Sequence, residues 1–215
     1  VDLQTSSIRT EAGRFVYDLD RNELDVSKGG HIDISEMSGE EDTVTVIYGQ
    51  EGDENIAQVQ GNEANYLYSD WIKGSDFADF VDGRGGYDVI QLGIGSDILV
   101  YRAGANDNGS VYDGGDGLDT LLLPVDFDGD AVSLSTLSSN AVVVANFENI
   151  DASPVLSGVT IEGDVKANVL IGGGFDDIIK LGPGGDTAKG GAGSDIFEVD
   201  LSQIDPTSNV ILDLS

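Results

Sequence analysis

Six aspartates stand at a nine-residue interval in two sets of three: Asp79, Asp88 and Asp97, then Asp177, Asp186 and Asp195. A carboxylate is a hard oxygen donor, and a regular backbone brings equally spaced carboxylates into rows. A row of bare acids repels itself unless a cation lies among them. The text around these acids repeats as well: GRGGYDVIQ (83–91), LGIGSDILV (92–100), GGGFDDIIK (172–180), LGPGGDTAK (181–189) and GGAGSDIFE (190–198). A small or glycine-rich run leads into one acid, and an apolar residue follows two positions later.

Little else in the chain offers chemistry. Cysteine is absent, which excludes disulfides, thiolate metal sites and cysteine nucleophiles. His31 is the one histidine, so zinc or iron sites that need two histidines are impossible. Ser-His-Asp catalysis would have to run through His31, and no G-x-S-x-G elbow is present. DLDRNELD (18–25) starts like an EF-hand loop, but Glu23 and Gly29 stand where glycine and glutamate are required. A carboxylate pair for glycoside hydrolysis carries no weight among 40 acidic side chains. DFDGD (126–130) reads as a polar turn, and Asp205-Pro206 as a loop dipeptide. These readings exclude an enzyme.

The bulk composition narrows the partners. Forty acidic against 10 basic side chains give a formal charge of -30. The apolar fraction of 40% is too high for a disordered acidic tail. The few basic residues are scattered, so nucleic acid is excluded as a partner. No run of apolar residues is long enough for a membrane-spanning helix. The charge calls for divalent cations as neutralisers.

The repeat itself says how the acids are held. With the acid at slot six, that slot contains Asp79, Asp88, Asp97 and Asn106, then Asn168, Asp177, Asp186 and Asp195. Slot four is glycine at Gly86, Gly95, Gly104, Gly184 and Gly193, but phenylalanine at Phe77 and Phe175. Slot eight holds Val81, Ile90 and Leu99, then Leu170, Ile179, Ala188 and Phe197, all apolar. A further copy, GGDGLDTLL (114–122), brings in Asp119, four residues out of phase. Glycine permits tight turns that crowd carbonyl oxygens together. The apolar residue begins a short strand and points inward. One such unit cannot bury its apolar face alone, but stacked units can, and stacking aligns the acids. Ca²⁺ takes 6–8 oxygens in flexible geometry and suits such a row of carboxylates and carbonyls better than octahedral Mg²⁺.

This nonapeptide resembles the calcium-binding repeat of the RTX (repeats-in-toxin) proteins, over roughly residues 74–122 and 163–198. The departures are the two phenylalanines, Pro183, Leu92 and Leu181 at slot one, and the two asparagines. The resemblance implies an all-β fold: a right-handed parallel β-roll, or β-solenoid, in two blocks with β-rich flanking and inserted segments. It implies two nonapeptides per coil, pairing Asp79 with Asp97, Asp88 with Asn106, Asn168 with Asp186, and Asp177 with Asp195. It also implies several bound Ca²⁺, ligated through slots four and six: Asp79, Gly86, Asp88, Gly95, Asp97, Asn106, Asp119, Asn168, Asp177, Gly184, Asp186, Gly193 and Asp195.

Around the repeats the chain divides into five stretches. Residues 1–48 hold strand-like GRFVYDLD (13–20), HIDIS (31–35) and TVTVIYG (43–49), an N-terminal β segment that caps or continues the solenoid. Residues 49–122 form the first block, opening on a decayed repeat with Glu54 at slot six. Residues 123–158 are a β-rich insertion, an elaborated coil or a small layer on the roll. Residues 159–200 form the second block, and 201–215 a C-terminal strand and tail. The chain begins VDLQTSSIRTEAG, with neither Met nor an apolar leader, which points to a processed chain or a piece of a larger protein.

The expected function is calcium-dependent folding outside the cell. Extracellular calcium modules bind at roughly 10⁻⁴–10⁻³ M, so cytosolic calcium would leave the chain unfolded. The resemblance implies secretion by a type I route, to the medium or the cell surface. Three roles follow: a structural or adhesive segment of a surface protein, including a surface-layer subunit that meets neighbouring subunits; the non-catalytic calcium domain of a secreted enzyme or toxin; or a polysaccharide-binding module. For the last, Tyr66, Tyr68 and Trp71 would supply an aromatic platform for a cell-surface glycan.

Overall fold

The computed structural model describes residues 9–11, 14–18, 31–33, 44–48, 71–74, 76–83, 88–102, 110–127, 131–135, 143–199 and 210–213. Among these residues every regular element is a strand. In chain order they are β1 (Arg9–Glu11), β2 (Arg14–Asp18), β3 (His31–Asp33), β4 (Val44–Tyr48), β5 (Trp71–Lys73), β6 (Asp79–Asp82) and β7 (Val89–Gln91). Next come β8 (Ile94–Gly95), β9 (Ile98–Val100), β10 (Val111–Asp113), β11 (Asp116–Gly117), β12 (Thr120–Leu122), β13 (Ala131–Ser133) and β14 (Val143–Ala145). The chain closes with β15 (Asn149–Asp151), β16 (Thr160–Glu162), β17 (Val169–Ile171), β18 (Ile178–Leu181), β19 (Thr187–Lys189), β20 (Ile196–Val199) and β21 (Val210–Asp213).

Two compact units result. The first comprises residues 1–100, 105–119 and 140–146; the second comprises 101–104, 120–139 and 147–215. In the first unit, β2, β4, β6 and β9 pair in parallel along one sheet, with β1 antiparallel on β2. A second sheet runs β3, β5, β7, β10, β14, all parallel. In the second unit the parallel orders are β12, β15, β17, β19, β21 and β13, β16, β18, β20. From β2 on, successive strands alternate between the two sheets of a unit, apart from β8 and β11, which pair in parallel with each other. The architecture is therefore a β-solenoid, the all-β roll that the repeat implied. The strands expected at 13–20, 31–35 and 43–49 form as β2, β3 and β4, and they join the parallel sheets. Within 123–158, β13 and β15 join the sheets of the second unit, and β14 joins a sheet of the first.

The core is a stack of slot-eight side chains. Three-residue strands whose middle residue is buried between exposed or half-buried neighbours point that middle residue inward. In the first unit the register sets Ile72, Ile90, Tyr112 and Val144 in one column and Val81 on Leu99. In the second it sets Leu121, Ile150, Leu170 and Ala188 in one column and Val132, Ile161 and Ile179 in another. All of these are buried, most of them completely. Each aliphatic side chain buried this way is worth about 1.5–3 kcal/mol. Backbone hydrogen bonds continue past the strands: Gly74 N–H donates to Gln91 O at 2.7 Å, and Gly172 N–H to Lys189 O at 2.8 Å. The turns are thus stacked as firmly as the strands, and slot six follows them at the mouth of each strand.

Candidate metal centre

Slot-six carboxylates link one coil to the one before. Asp97 Oδ1 accepts the backbone N–H of Asp79 at 2.8 Å, and Asp119 Oδ1 accepts that of Asp97 at 2.8 Å. In the second unit Asp186 Oδ1 accepts Asn168 N–H at 3.0 Å, Asp177 Oδ1 accepts Val159 N–H at 2.9 Å, and Asp195 Oδ1 accepts Asp177 N–H at 3.0 Å. A backbone amide just before a strand has no sheet partner and is buried here. The acid of the next coil supplies its acceptor.

This ladder occupies one oxygen of each carboxylate and aims the other at the turn. Oδ2 is fully buried in Asp97, Asp119 and Asp186. At Asp97 it meets no hydrogen-bond donor among the described residues, although the residue is completely enclosed. In most repeats a slot-one glycine lies against this oxygen: a Cβ at Gly74 would come within 2.6 Å of Asp79 Oδ2, and one at Gly83 within 2.7 Å of Asp88 Oδ2. Asp97 and Asp186 instead follow a buried leucine at slot one, Leu92 and Leu181. Both carboxyls are held above the ordinary aspartate range. Burial pushes Asp97 up to about 7, with Asp79 and Asp119 adding repulsion against the lowering effect of the Asp79 N–H. Asp186 is raised by burial and by Asp164, with the Asn168 N–H opposing.

The turns bring carbonyls to the same place. A Cβ at Gly95 would lie 2.8 Å from Phe77 O, and one at Gly193, whose φ is 131°, 2.6 Å from Phe175 O. Only glycine admits this approach with that backbone. Among the described residues no three Asp, Glu or His side chains gather into a cluster that would hold a metal. A cation between coils therefore draws on two carboxylates at most and fills its shell with turn carbonyls. The donor set is all oxygen, flexible and anionic, which fits Ca²⁺. Bound there, calcium would supply the positive charge that lets the buried acids ionise.

Residues 67–107 and 162–198 match the RTX calcium-binding nonapeptide repeat, in 4 copies. These two segments carry RTX calcium-binding repeats. Comparison with curated proteins and with solved structures finds no match. The RTX repeats make this β-roll a calcium-binding module.

Not every RTX slot holds what the nine-residue phase suggests. Gly86 and Asn106 lie outside the described residues. The amide of Asp88 donates to Ser110 Oγ at 3.1 Å, so Ser110, 22 residues on, occupies the slot-six position opposite it. Asp119, also 22 residues beyond Asp97, stands in the Asp79–Asp97 column. Four extra residues are absorbed in this step, the next coil is longer still with Val111 opposite Val143 and Thr120 opposite Asn149, and the eighteen-residue step returns with Thr160 opposite Ile178 and Val169 opposite Thr187. The step from Asp97 to Asp119 thus has two acids, as do Asp79 to Asp97 and Asp177 to Asp195. Glu148 at slot six was missed because its coil carries no glycine-aspartate text, but the β15–β17 register sets it beside Asn168. Glu54, Tyr66, Tyr68, the 128–130 part of DFDGD and Asp205-Pro206 lie outside the described residues.

Proposed function

We propose that this RTX β-roll folds on binding Ca²⁺ outside the cell and serves as a structural or adhesive segment of a secreted or surface protein, exported by a type I route. Calcium is held between coils by paired slot-six acids, Asp79 with Asp97, Asp97 with Asp119, and Asp177 with Asp195. Carbonyls of slot-four glycines such as Gly95 and Gly193 complete the shell. Steps with one acid, at Asp88, Asn168–Asp186 and Val159–Asp177, hold calcium more weakly. The module carries no catalysis of its own.

The observation that carries this reading is Asp97: a completely buried carboxylate with one oxygen in the ladder and the other facing no donor among the described residues. A charge left so costs several kcal/mol, so above pH 7 this carboxylate calls for a cation, and without one it takes up a proton instead. Circular dichroism and thermal melting with calcium and with EGTA test the proposal. Chelation is expected to diminish the β signal and lower the midpoint, and adding calcium back is expected to restore both. A spectrum and midpoint indifferent to EGTA would overturn it.

A further inference from the structure

The step between the Glu148 coil and the Asn168 coil contrasts with the others. The register Asn149 opposite Val169 sets Glu148 at slot six, directly beside Asn168. Slot four of the following repeat, where glycine stands in the repeats ending at Lys189 and Glu198, is Lys166. Its ammonium turns back onto Glu148 Oε1 at 2.8 Å. The Glu148 side chain is 13% exposed, so the pair is formed largely out of water on the glutamate side.

The remaining polar groups of this step are also met from within the chain. Asn168 Nδ2 donates to Glu148 O at 2.9 Å and to Asp164 Oδ1 at 3.1 Å. Asn168 Oδ1 accepts the Asp164 N–H at 2.9 Å, and Asp164 Oδ1 accepts the Lys166 N–H at 2.8 Å. A neutral amide here replaces the second acid of a calcium step, and an ammonium occupies the carboxylate that is left. A divalent cation entering would face like charge from Lys166 and amide hydrogens from Asn168.

We infer that this step is closed by an internal cation, the Lys166 ammonium, takes no calcium, and gives the second unit a coil pair that assembles before metal arrives. The inference rests on the calcium reading of the other steps. A parallel solenoid propagates from any pair of formed coils, since each repeat needs only its neighbour. The Glu148–Asn168 step is the seed on which the calcium steps at Asn168–Asp186 and Asp177–Asp195 are added.

Amide hydrogen exchange and calorimetric calcium counting on the full chain test this. In EGTA, amides of β15 and β17 are expected to exchange at least about tenfold more slowly than those of β20. Lys166→Met should abolish that difference and leave the calcium count unchanged, whereas Lys166→Arg should preserve both. The triple change Glu148→Asp, Lys166→Gly and Asn168→Asp should raise the count by about one ion per chain, having recreated a two-acid site. A lower count in Lys166→Met, or β15 and β17 exchanging in EGTA as fast as β20, would overturn the inference. If the wild-type chain binds no calcium, the calcium reading fails, and exchange in EGTA still decides whether the lysine step forms.

Discussion

The Asp79–Asp97–Asp119 column of the first unit and the Glu148–Asn168 step of the second occupy the same slot of the same repeat, with opposite electrostatics. In the first, three acids stack with only backbone amides between them, and the middle carboxyl is pushed up to about 7 by its own burial. In the second, a glutamate meets an ammonium at 2.8 Å and an asparagine replaces the partner acid. The fold tolerates either, because the ladder and the slot-eight core are indifferent to what neutralises the charge. What changes is the dependence on an external ion.

Calcium removal should produce the largest effect and separate the two regions. One site at free calcium about 100 times its Kd stabilises by about 2.7 kcal/mol. Three two-acid steps therefore supply about 8 kcal/mol, comparable with the whole stability of an ordinary domain. EGTA should drop the melting midpoint by about 20 °C or abolish the transition altogether. A fall of only a few degrees would mean that the acid column is already neutralised by other means.

Next in size is Asp97→Ala, which removes a ligand from two steps and strands the buried Asp79 amide. The expected loss of about two ions per chain in calorimetry exceeds that for Ser110→Ala, which should lose none. The orphaned amide adds about 1–3 kcal/mol of destabilisation even without metal. Asp97→Asn keeps the Oδ1 acceptor, so it should spare metal-free stability while weakening calcium. Equal damage from Ala and Asn in EGTA would remove the ladder from the explanation.

The pH response should carry a sign. Asp97 has a folded pKa of about 7 against 3.8 unfolded, and Asp186 is shifted in the same direction. Their neutral forms favour the folded metal-free chain, so its stability is greatest near and below pH 3.8 and is lost as pH rises towards 7. In EGTA the midpoint should rise on going from pH 7.5 to pH 5. In calcium the order should reverse, since protons then compete with metal. A midpoint in EGTA that falls on acidification would show these acids to be already paired as anions.

The smallest effect contrasts two glycines of adjoining coils. Gly193→Ala requires a left-handed backbone and a methyl against Phe175 O, and should cost about 1–3 kcal/mol. Gly174→Ala meets nothing within 4 Å and should be neutral or gain about 0.4–1 kcal/mol. Chemical denaturation in calcium would resolve the pair.

Much of this was legible from nine-residue text. The nine-residue spacing disclosed the inward slot eight, and the RTX resemblance it carries implied the all-β solenoid and the pairs at Asp79–Asp97, Asn168–Asp186 and Asp177–Asp195. The Asp97–Asp119 step was hidden by four extra residues, which shift the text without shifting the column. Gly93 and Gly95 against Gly115 and Gly117 bear the same 22-residue offset and would have disclosed it. The Glu148–Lys166 pair left no such trace. Its coil has lost the glycines, and an ion pair across coils is set by strand register that only the folded chain displays.

The ladder also gives the roll a polarity. Slot-six amides are satisfied by the coil that follows in sequence: Asp79 by Asp97, Asn168 by Asp186, Asp177 by Asp195. A coil is therefore unfinished until its successor has been laid down, and damage travels towards the N-terminus. Cutting the chain after Gly185 would leave the buried amides of Asn168 and Asp177 unmet, although both residues remain. Structural completion here is a debt carried forward one coil at a time, settled from the C-terminal side.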